Sequence, residues 1–533
     1  MTTALSSSER AMQRLPPHLR RYVVAQDYDA YTPRDQAVWR HILRRLVRHL
    51  ASRAHPSYLR GLEATGIGTE RIPSMDEMND KLARLGWSAV AVRGFIPPAV
   101  FTELQAQRVL AIAADIRTHE HVEYTPAPDI VHESAGHAPI LADPAYAAFL
   151  RAAGELGFRA IGSVEDQEVY EAIRALSIVK EDPAAGAEEI AAAERRLEEA
   201  SASRRFVSEA TRASRLYWWT AEYGLVGTLD DPRIYGAGLL SSIGESTHCF
   251  SDEVQRIPLD VSAAEVEYDI TRMQPQLFVA RDFGQLTEVV GHLARTLSWR
   301  RGGDHGLEQA RAARSVNHLV LADGTAVTGV VETLHAGAKP AGPGLGTALA
   351  VVRGPTLLSR DGRALGAPAE EPAVIAFGDA RVPPEGSFCL AFASGVSVSG
   401  RVAGCVATEL RASIGSRELE VPARAVLLAT PSLPSVAGGA GDPGAWDWHF
   451  GTTARDEDGE TRARAHKASA LAPAVAALYA EVRALRESGR TDRARLAEVA
   501  REARRFPDEW LLRTELEELQ GGVGGELAAD AGR

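Results

Sequence analysis

The sequence predicts a multidomain α+β protein, in which a mainly α-helical part is followed by a small β-rich domain and a helical C-terminal tail. The chain has 533 residues, which is too many for a single hydrophobic core. Helical periodicity dominates as far as Gly303, and short β-branched runs separated by glycine turns follow it. We expect a helical domain at 1–302, a β-rich domain of unknown role at 310–435, a helical tail at 446–520 and a disordered segment at 521–533.

The first strong helical signal lies between Tyr31 and Leu50. Thr32 and Asp35 have the spacing of a capping box, and Pro33 suits the first helical turn. The apolar residues of this segment recur at helical spacing and form one stripe, which consists of Val38, Ile42, Leu43, Leu46, Val47 and Leu50. Similar patterns predict further helices at 99–116, 144–160, 164–180, 187–205 and 207–223.

The segment 315–432 has the composition of a compact β domain. Its apolar runs alternate with glycine turns, and the residues from Leu321 to Gly324 suit a hairpin connection. It contains no His/Cys cluster or convincing phosphate loop, so its role stays unassigned. Helical patterns at 466–487 and 491–518 carry apolar faces that suit packing onto the rest of the chain or onto another subunit. A homo-oligomer formed through the C-terminal region is therefore one expectation.

Composition narrows the class of protein. Hydrophobic residues make up 45% and charged residues 24%, as in ordinary globular proteins. The formal net charge of -12 argues against nucleic-acid binding, because gripping a phosphate backbone requires a positive field. Cys249, Cys389 and Cys405 are too far apart for a thiolate metal site and suit a reducing compartment. The N-terminus lacks a signal-peptide core, and the apolar run 468–480 is too short to span a membrane. We expect a soluble cytoplasmic protein.

The stretch PAPDIVHESAGHAPILADP (126–144) contains two histidines five residues apart, His132 and His137. On a regular α-helix that spacing turns the second side chain roughly 140° from the first, so two imidazoles would face different directions. Both rings can face one metal ion only if the backbone is distorted, for example by a widened turn, and Gly136 and the flanking prolines permit one. The alternative is that both are ordinary surface or hydrogen-bonded core histidines.

A complete metal site needs a third ligand. Two histidines and one carboxylate on one face, with open positions opposite, is the typical donor set of non-heme iron(II). Glu222 is the best remote candidate, because it lies four residues from Trp218 in an aromatic-rich helix where an unpaired carboxylate is costly. Glu245 is its competitor. Spacing alone does not decide between a metal site and ordinary polar residues.

Several blocks resemble, in order and with similar gaps, the catalytic domain of the pterin-dependent aromatic amino acid hydroxylases. These blocks are YTPAPDIVHESAGHAPILADP (124–144), LYWWTAEYGL (216–225), YGAGLLSSIGE (235–245) and YDITRMQPQLFVARDF (268–283). The resemblance covers about residues 85–300 and implies that the helical domain is catalytic. It implies that His132, His137 and Glu222 ligate Fe(II), that tetrahydrobiopterin or a related tetrahydropterin is the organic cofactor, and that O2 is the co-substrate.

The resemblance also implies residues that bind the amino acid substrate. Arg117 would clamp the carboxylate of the amino acid, a task that suits a planar and permanently charged guanidinium. Thr125 and Ser241 would add hydrogen bonds to its polar end. Trp218 and Val279 would form an apolar wall, against which a phenol hydroxyl lacks a partner, so phenylalanine is the expected substrate.

For the pterin, the resemblance implies one stacking ring and several neighbouring contacts. The residues expected to bind the cofactor are Gly94, Ile96, Phe101, Glu133 and Tyr217. Phe101 would supply the stacking ring, although it also suits a helix core. Asp129 and Glu245 are expected behind the metal ligands, where their carboxylates would fix the imidazole tautomers by hydrogen bonds.

These inferences predict an iron- and tetrahydropterin-dependent monooxygenase that converts L-phenylalanine to L-tyrosine. Tryptophan hydroxylation by the same chemistry is the mildest alternative. A zinc hydrolase with Glu133 as its base is a second, and the five-residue histidine spacing counts against it. A third is a non-catalytic hydroxylase-like module whose β domain does the work in the cell, against which the intact ligand set argues.

Overall fold

The protein is described by a computed structural model that covers residues 5–119, 122, 129–181, 185–270, 272–433, 435–438, 471–488 and 492–521. The order of its elements agrees with the predicted α+β class, since a mixed helical part precedes a β-rich region and a set of C-terminal helices.

The N-terminal part is helical. It comprises α1 (Ser7–Arg14), α2 (Pro17–Arg20), α3 (Pro33–Leu50), α4 (Ser57–Ala64) and α5 (Met75–Leu82). The predicted capping box of α3 is present, because the Thr32 hydroxyl accepts the Asp35 N–H and the Asp35 carboxylate accepts the Thr32 N–H. Most of the apolar stripe of α3 is buried in the main core.

The prediction of one helix over 99–116 is wrong. Strand β1 (Ser88–Val92) precedes helix α6 (Pro98–Ala106), and strand β2 (Val109–Ala113) then pairs in parallel with β1. Arg108 has a φ of 60°, which ends the helical conformation. All five residues of β2 are apolar and buried, and periodicity does not distinguish so short an apolar run from a buried helix.

The middle of the chain contains π-helical segments between its α-helices. In order, the elements are the first π-helix (Val131–His137), α7 (Pro144–Arg159), α8 (Val164–Glu181), α9 (Ala187–Ala202), α10 (Glu209–Tyr217) and the second π-helix (Trp218–Glu222). Helices α8 and α9 pack against each other as a helical pair, and α7 packs against α6.

A small mixed sheet and several helices complete this part. The sheet contains β3 (Leu225–Gly227), β4 (Pro232–Ile234), β5 (Gln255–Pro258) and β6 (Gln276–Ala280), in the order β4-β3-β6-β5. The helices are α11 (Ala237–Leu240), α12 (Ile243–His248), α13 (Phe283–Ala294), α14 (Ser298–Arg301) and α15 (Gly303–Ala313).

The β-rich region forms a large sheet. Its strands are β7 (Val316–Val320), β8 (Thr325–Ala336), β9 (Thr347–Arg360), β10 (Arg363–Ala364), β11 (Ala373–Phe377), β12 (Glu385–Ala391), β13 (Val396–Ala403), β14 (Val406–Ile414), β15 (Arg417–Leu419), β16 (Arg424–Thr430) and β17 (Ser435–Gly438). The main order is β12-β13-β14-β16-β11-β9-β8-β7-β17. Neighbouring strands are antiparallel except β11 and β16, and α15 shares one apolar cluster with the sheet.

The C-terminal helices are α16 (Pro473–Glu487), α17 (Arg493–Ala503) and α18 (Trp510–Gly521). The single helix expected over 491–518 is therefore two helices, and Pro507 lies in the break, where it cannot continue a helix. Helices α16 and α18 pack on α3, and their buried residues Leu478 and Leu512 belong to the same core as the N-terminal helices. The tail is thus packed onto the body of the chain.

No helix in the described ranges is both long enough and apolar enough to cross a lipid bilayer. Helices α3 and α8, with 18 residues each, both carry several charged side chains.

Candidate active site

His132, His137 and Glu222 converge at one point, although Glu222 lies far from the histidines in sequence. One ligand atom from each residue falls within 4.8 Å of the other two. Nε2 of His132 is 3.3 Å and Nε2 of His137 is 3.1 Å from the nearest carboxylate oxygen of Glu222. Two nitrogen donors and an oxygen donor therefore point into the same small space.

The five-residue histidine spacing works because the backbone is a π-helix there. A π-helix forms i to i+5 hydrogen bonds, so residues five apart lie on the same face, as the predicted widened turn requires. Gly136 allows this segment to pack closely against α11, since a Cβ at that position would lie 2.8 Å from the carbonyl oxygen of Ala237. Glu222 ends the second π-helix, so both segments that carry the three side chains depart from regular α-helical geometry.

The cluster attracts positive charge. Burial alone would lower the pKa of His132, but the carboxylate of Glu222 outweighs burial and raises that pKa to about 9. Burial would likewise raise the pKa of Glu222, yet His137 and His132 hold it well below its ordinary range. A carboxylate with this preference is stabilised by protons on the rings or by a cation between them.

Unsatisfied ring nitrogens in the cluster also fit a metal ion. Neither ring nitrogen of buried His137 makes a hydrogen bond of acceptable geometry, although Nε2 lies close to Glu222. A buried polar atom without a partner is costly, and coordination would satisfy it. The donor set of two imidazoles and one carboxylate fits non-heme iron(II).

Ser241 orients the imidazole of His132. Its hydroxyl donates to the carbonyl oxygen of Ala237 at 2.8 Å, so its oxygen is available to accept the Nδ1–H of His132 at 3.0 Å. That bond occupies the Nδ1–H and directs Nε2 of His132 at the cluster, where it could ligate a metal ion. Ser241 thus contacts a metal-ligand candidate, whereas the sequence analysis expected it to hydrogen-bond the polar end of the substrate.

Arg117 and Asp129 form a buried, two-point ion pair. Nε and Nη2 of Arg117 each lie 2.8 Å from a different carboxylate oxygen of Asp129. Asp129 also accepts the main-chain N–H of His132 at 3.0 Å. Its described bonds therefore go to Arg117 and to the backbone, and the expected bond to an imidazole ring is not among them. Burial would raise the pKa of Asp129, but Arg117 lowers it.

Trp218 lies in a stack of three aromatic rings. Its ring is 4.3 Å from that of Tyr268 at an interplanar angle of 9°, and 4.6 Å from that of Tyr223 at 29°. The indole N–H donates to Gln274 at 3.4 Å. The sequence analysis did not single out Tyr268 and Gln274, although both lie in the block 268–283. The available signal was an aromatic residue and an amide residue in a turn-rich loop.

Comparison with known proteins agrees with this geometry. A family model described as biopterin-dependent aromatic amino acid hydroxylase matches residues 25–176 and 199–302. The phenylalanine-4-hydroxylase of Pseudomonas aeruginosa is 32% identical over 261 residues, which are 49% of this chain and 82% of that protein. The chain belongs to the biopterin-dependent aromatic amino acid hydroxylase family.

Other relatives of this hydroxylase carry the same name. The phenylalanine-4-hydroxylase of Chromobacterium violaceum is 31% identical over 268 residues, covering 50% of this chain and 75% of that protein. A solved structure of phenylalanine hydroxylase from the same organism, with iron(III) and 7,8-dihydrobiopterin, aligns with a TM-score of 0.42 at 27% identity over 55% of this chain and 92% of that one.

The side chains expected to bind the pterin lie beside the metal-ligand candidates of this hydroxylase. The ring of Phe101 is 6.5 Å from that of His137 and 6.0 Å from that of Tyr217, edge to face in both cases. The Tyr217 hydroxyl accepts a hydrogen bond from Gln105 at 2.6 Å, a contact the sequence did not indicate. Gly94, with a φ of 68°, lies in the turn between β1 and α6. The turn continues through half-buried Ile96.

The other predicted residues are placed as follows. Glu133 is buried in the first π-helix, and burial raises its pKa. Val279 is buried in β6 and pairs with Leu225 of β3. Thr125 lies outside the described residues. Among the described residues, Glu245 accepts from the Tyr223 hydroxyl, whereas a bond to an imidazole was expected, and burial raises its pKa to about 7.

Proposed function

We propose that this hydroxylase is an iron- and tetrahydropterin-dependent monooxygenase that converts L-phenylalanine to L-tyrosine with O2. The observation that carries the proposal is the convergence of His132, His137 and Glu222 within 4.8 Å of one another. Membership of the family and the phenylalanine-4-hydroxylase name of its relatives support the same reaction.

The donor set supports iron. The imidazoles of His132 and His137 and the carboxylate of Glu222 could hold the ion, and such a donor set is typical of iron(II) sites that keep positions open for small ligands. When bound, iron and a reduced pterin would supply the electrons for O2 activation, which side-chain acids and bases cannot supply. Ser241 prepares one ligand by holding the Nδ1–H of His132.

The residues of the chain bind and orient the amino acid. Arg117 is the proposed partner of the substrate carboxylate, because its Nη1 has only a weak described contact, 3.5 Å to the carbonyl of Val122. Asp129 takes the other side of the guanidinium and holds its plane. The same carboxylate bonds the backbone of His132, so the substrate clamp and the metal ligand share one support.

Substrate choice follows from the apolar surroundings. Trp218 is held by its two stacked neighbours and offers a rigid apolar surface. Neither Trp218 nor Val279 could pair with the hydroxyl of a tyrosine substrate placed against them, so phenylalanine is favoured.

The deciding experiment is a product assay. Purified protein loaded with Fe(II) is incubated with L-phenylalanine, L-tryptophan or L-tyrosine, air and a tetrahydropterin, and the products are identified by chromatography. Tyrosine formed from phenylalanine, in an amount that requires both iron and pterin, is the expected result. Protein loaded with Zn(II) and the variant Glu222→Gln are the matched controls, and both should be inactive. Hydroxylation of tryptophan alone, or turnover with zinc, would contradict the proposal.

A further inference from the structure

A cavity of about 450 Å³ lies behind Phe101 and Tyr217. Most of its lining is apolar, and Pro98, Ala99, Phe158, Val164, Val316 and Val330 are examples. None of the three metal-ligand candidates lines it in the described part of the chain. The cavity therefore reaches the two rings assigned to the pterin without including the side chains of the metal-ligand candidates.

Helix α8 and the β-rich region both contribute walls to this cavity. Val164 and Tyr170 come from α8 and lie within the part of the chain that the family model matches. Val316 and Val330, a directly opposed pair on β7 and β8, come from the β-rich region, which follows the last matched residue. Of these two walls, only the one from β7 and β8 lies outside the part of the chain that the family model matches.

Polar contacts hold these walls in place. The Tyr170 hydroxyl donates to the carbonyl of Phe95 at 3.1 Å, which ties α8 to the turn that contains Gly94 and Ile96. Arg314, just before β7, forms an ion pair with buried Glu165 of α8. Helix α8 is therefore bonded both to the β-rich region and to the turn that contains Gly94 and Ile96, beside the cavity.

The chemistry of a pterin indicates which part of it meets the cavity. Its pyrimidine ring carries the amide and amine groups that pair with backbone, as predicted for the turn at Gly94 and Ile96. The C6 position lies at the opposite end of the bicycle. A bicycle that pairs with the turn through its pyrimidine edge and stacks on Phe101 would therefore present C6 on the side away from the turn. Ala99 and Thr102, which flank Phe101 on α6, both line the cavity.

We propose that this cavity receives the C6 substituent of the reduced pterin, and that the enzyme is built for a pterin with an extended, largely apolar C6 chain. The inference rests on the proposed function, since it assumes that Phe101 and Tyr217 bind the bicycle. A volume of about 450 Å³ is in the range that accommodates an entire small ligand, far more than a methyl group needs. The β-rich region thereby takes part in choosing the cofactor.

The test compares binding of three redox-stable probes by isothermal titration calorimetry with the full-length protein. The probes are 6-methyl-7,8-dihydropterin, 7,8-dihydrobiopterin and 7,8-dihydropteroate, whose C6 chain contains an aromatic ring. Wild-type protein should bind dihydropteroate at least as tightly as the 6-methyl compound. Val330→Phe, which fills the cavity, should weaken dihydropteroate by about tenfold or more and change 6-methyl binding by less than about twofold. Val330→Ala should leave dihydropteroate binding intact.

The controls separate this inference from the proposed function. Arg401→Phe places the same ring on an exposed strand position outside the cavity lining and should change no affinity. Circular dichroism reports folding, and Val316→Leu, a smaller addition to the same wall, takes the place of Val330→Phe if that variant unfolds. The inference would be overturned if Val330→Phe weakened the binding of all three probes equally or of none. It would also be overturned if wild-type protein bound dihydropteroate more weakly than the 6-methyl compound. Phenylalanine hydroxylation with 6-methyltetrahydropterin would still stand in those cases, and its absence would reject the proposed function instead.

Discussion

The guanidinium of Arg117 and the carboxylate of Asp129 meet at two points, 2.8 Å each, with both side chains no more than 5% exposed. Asp129 also accepts the His132 N–H.

Asp129→Asn keeps the shape but leaves a buried guanidinium without its counter-charge, so we expect a loss of about 3–5 kcal/mol in the free energy of unfolding. Urea denaturation measures it. Glu77→Gln, which breaks the exposed pair with Arg71, should cost at most about 1 kcal/mol. Equal effects would show that the buried pair is dispensable.

The second prediction concerns Arg117→Lys, which preserves the charge but loses the planar fork. A single ammonium cannot serve Asp129 and a substrate carboxylate in the geometry of the guanidinium. We expect the KM for phenylalanine to rise by about tenfold or more, as the loss of a charge-assisted hydrogen bond implies. Iron content, measured by elemental analysis, should stay unchanged because Arg117 touches none of the three ligand side chains. An unaltered KM would remove Arg117 from substrate binding.

The third prediction tests the support of His132. Ser241→Ala removes the acceptor of the Nδ1–H, and loss of such a partner typically lowers metal affinity by about 10- to 100-fold. Competition with a chelator of known affinity measures the change. Ser246→Ala is a matched control, because the described partner of this buried hydroxyl is the nearby carbonyl of Ile243. If both variants hold iron as tightly as the parent, the proposed orientation of His132 by Ser241 is wrong.

Local backbone geometry explains which parts of the site the sequence could predict. His132 and His137 are five residues apart, so a shared metal required a widened turn, and the π-helix confirms it. The strand β2 was missed because five buried apolar residues carry no distinguishing period. The break before α18 was missed because the apolar pattern continues across Pro507.

Specific hydrogen bonds between distant residues were beyond sequence reasoning. Ser241 and His132 are 109 positions apart, and nothing in either segment specifies that the hydroxyl meets Nδ1 and not a substrate. Glu222 was found through its aromatic surroundings and the family resemblance, since no spacing rule connects it to the histidines. The cavity behind Phe101 depends on α8, β7 and β8 packing together, which is a property of tertiary structure alone.

The fourth prediction uses the raised pKa of Glu245. Burial lifts this pKa from 4.5 to about 7, so the protonated carboxyl is favoured in the folded state. Its contribution to stability is complete below the unfolded pKa of 4.5 and is lost as the pH rises through 7. In Glu245→Gln the side chain is neutral throughout. The stability difference between parent and variant should therefore shift toward the variant between pH 5 and 8, as measured by urea midpoints; a difference independent of pH would contradict the assignment.

The last prediction concerns the C-terminal helices. Glu515 of α18 is 2% exposed and pairs with Arg40 of α3 at 2.8 Å and with Arg486 of α16 at 3.2 Å. Glu515→Gln should destabilise the whole protein by about 3–5 kcal/mol, because two guanidinium groups lose a buried counter-charge.

Glu498→Gln is the control on the same tail, since its pair with Arg495 is exposed and should contribute no more than about 1 kcal/mol. Unfolding is followed both by circular dichroism and by loss of bound iron. If the tail belongs to the catalytic core, as its shared apolar cluster indicates, Glu515→Gln moves both transitions together. A separate early transition that leaves the iron in place would show instead that the tail unfolds as an independent unit.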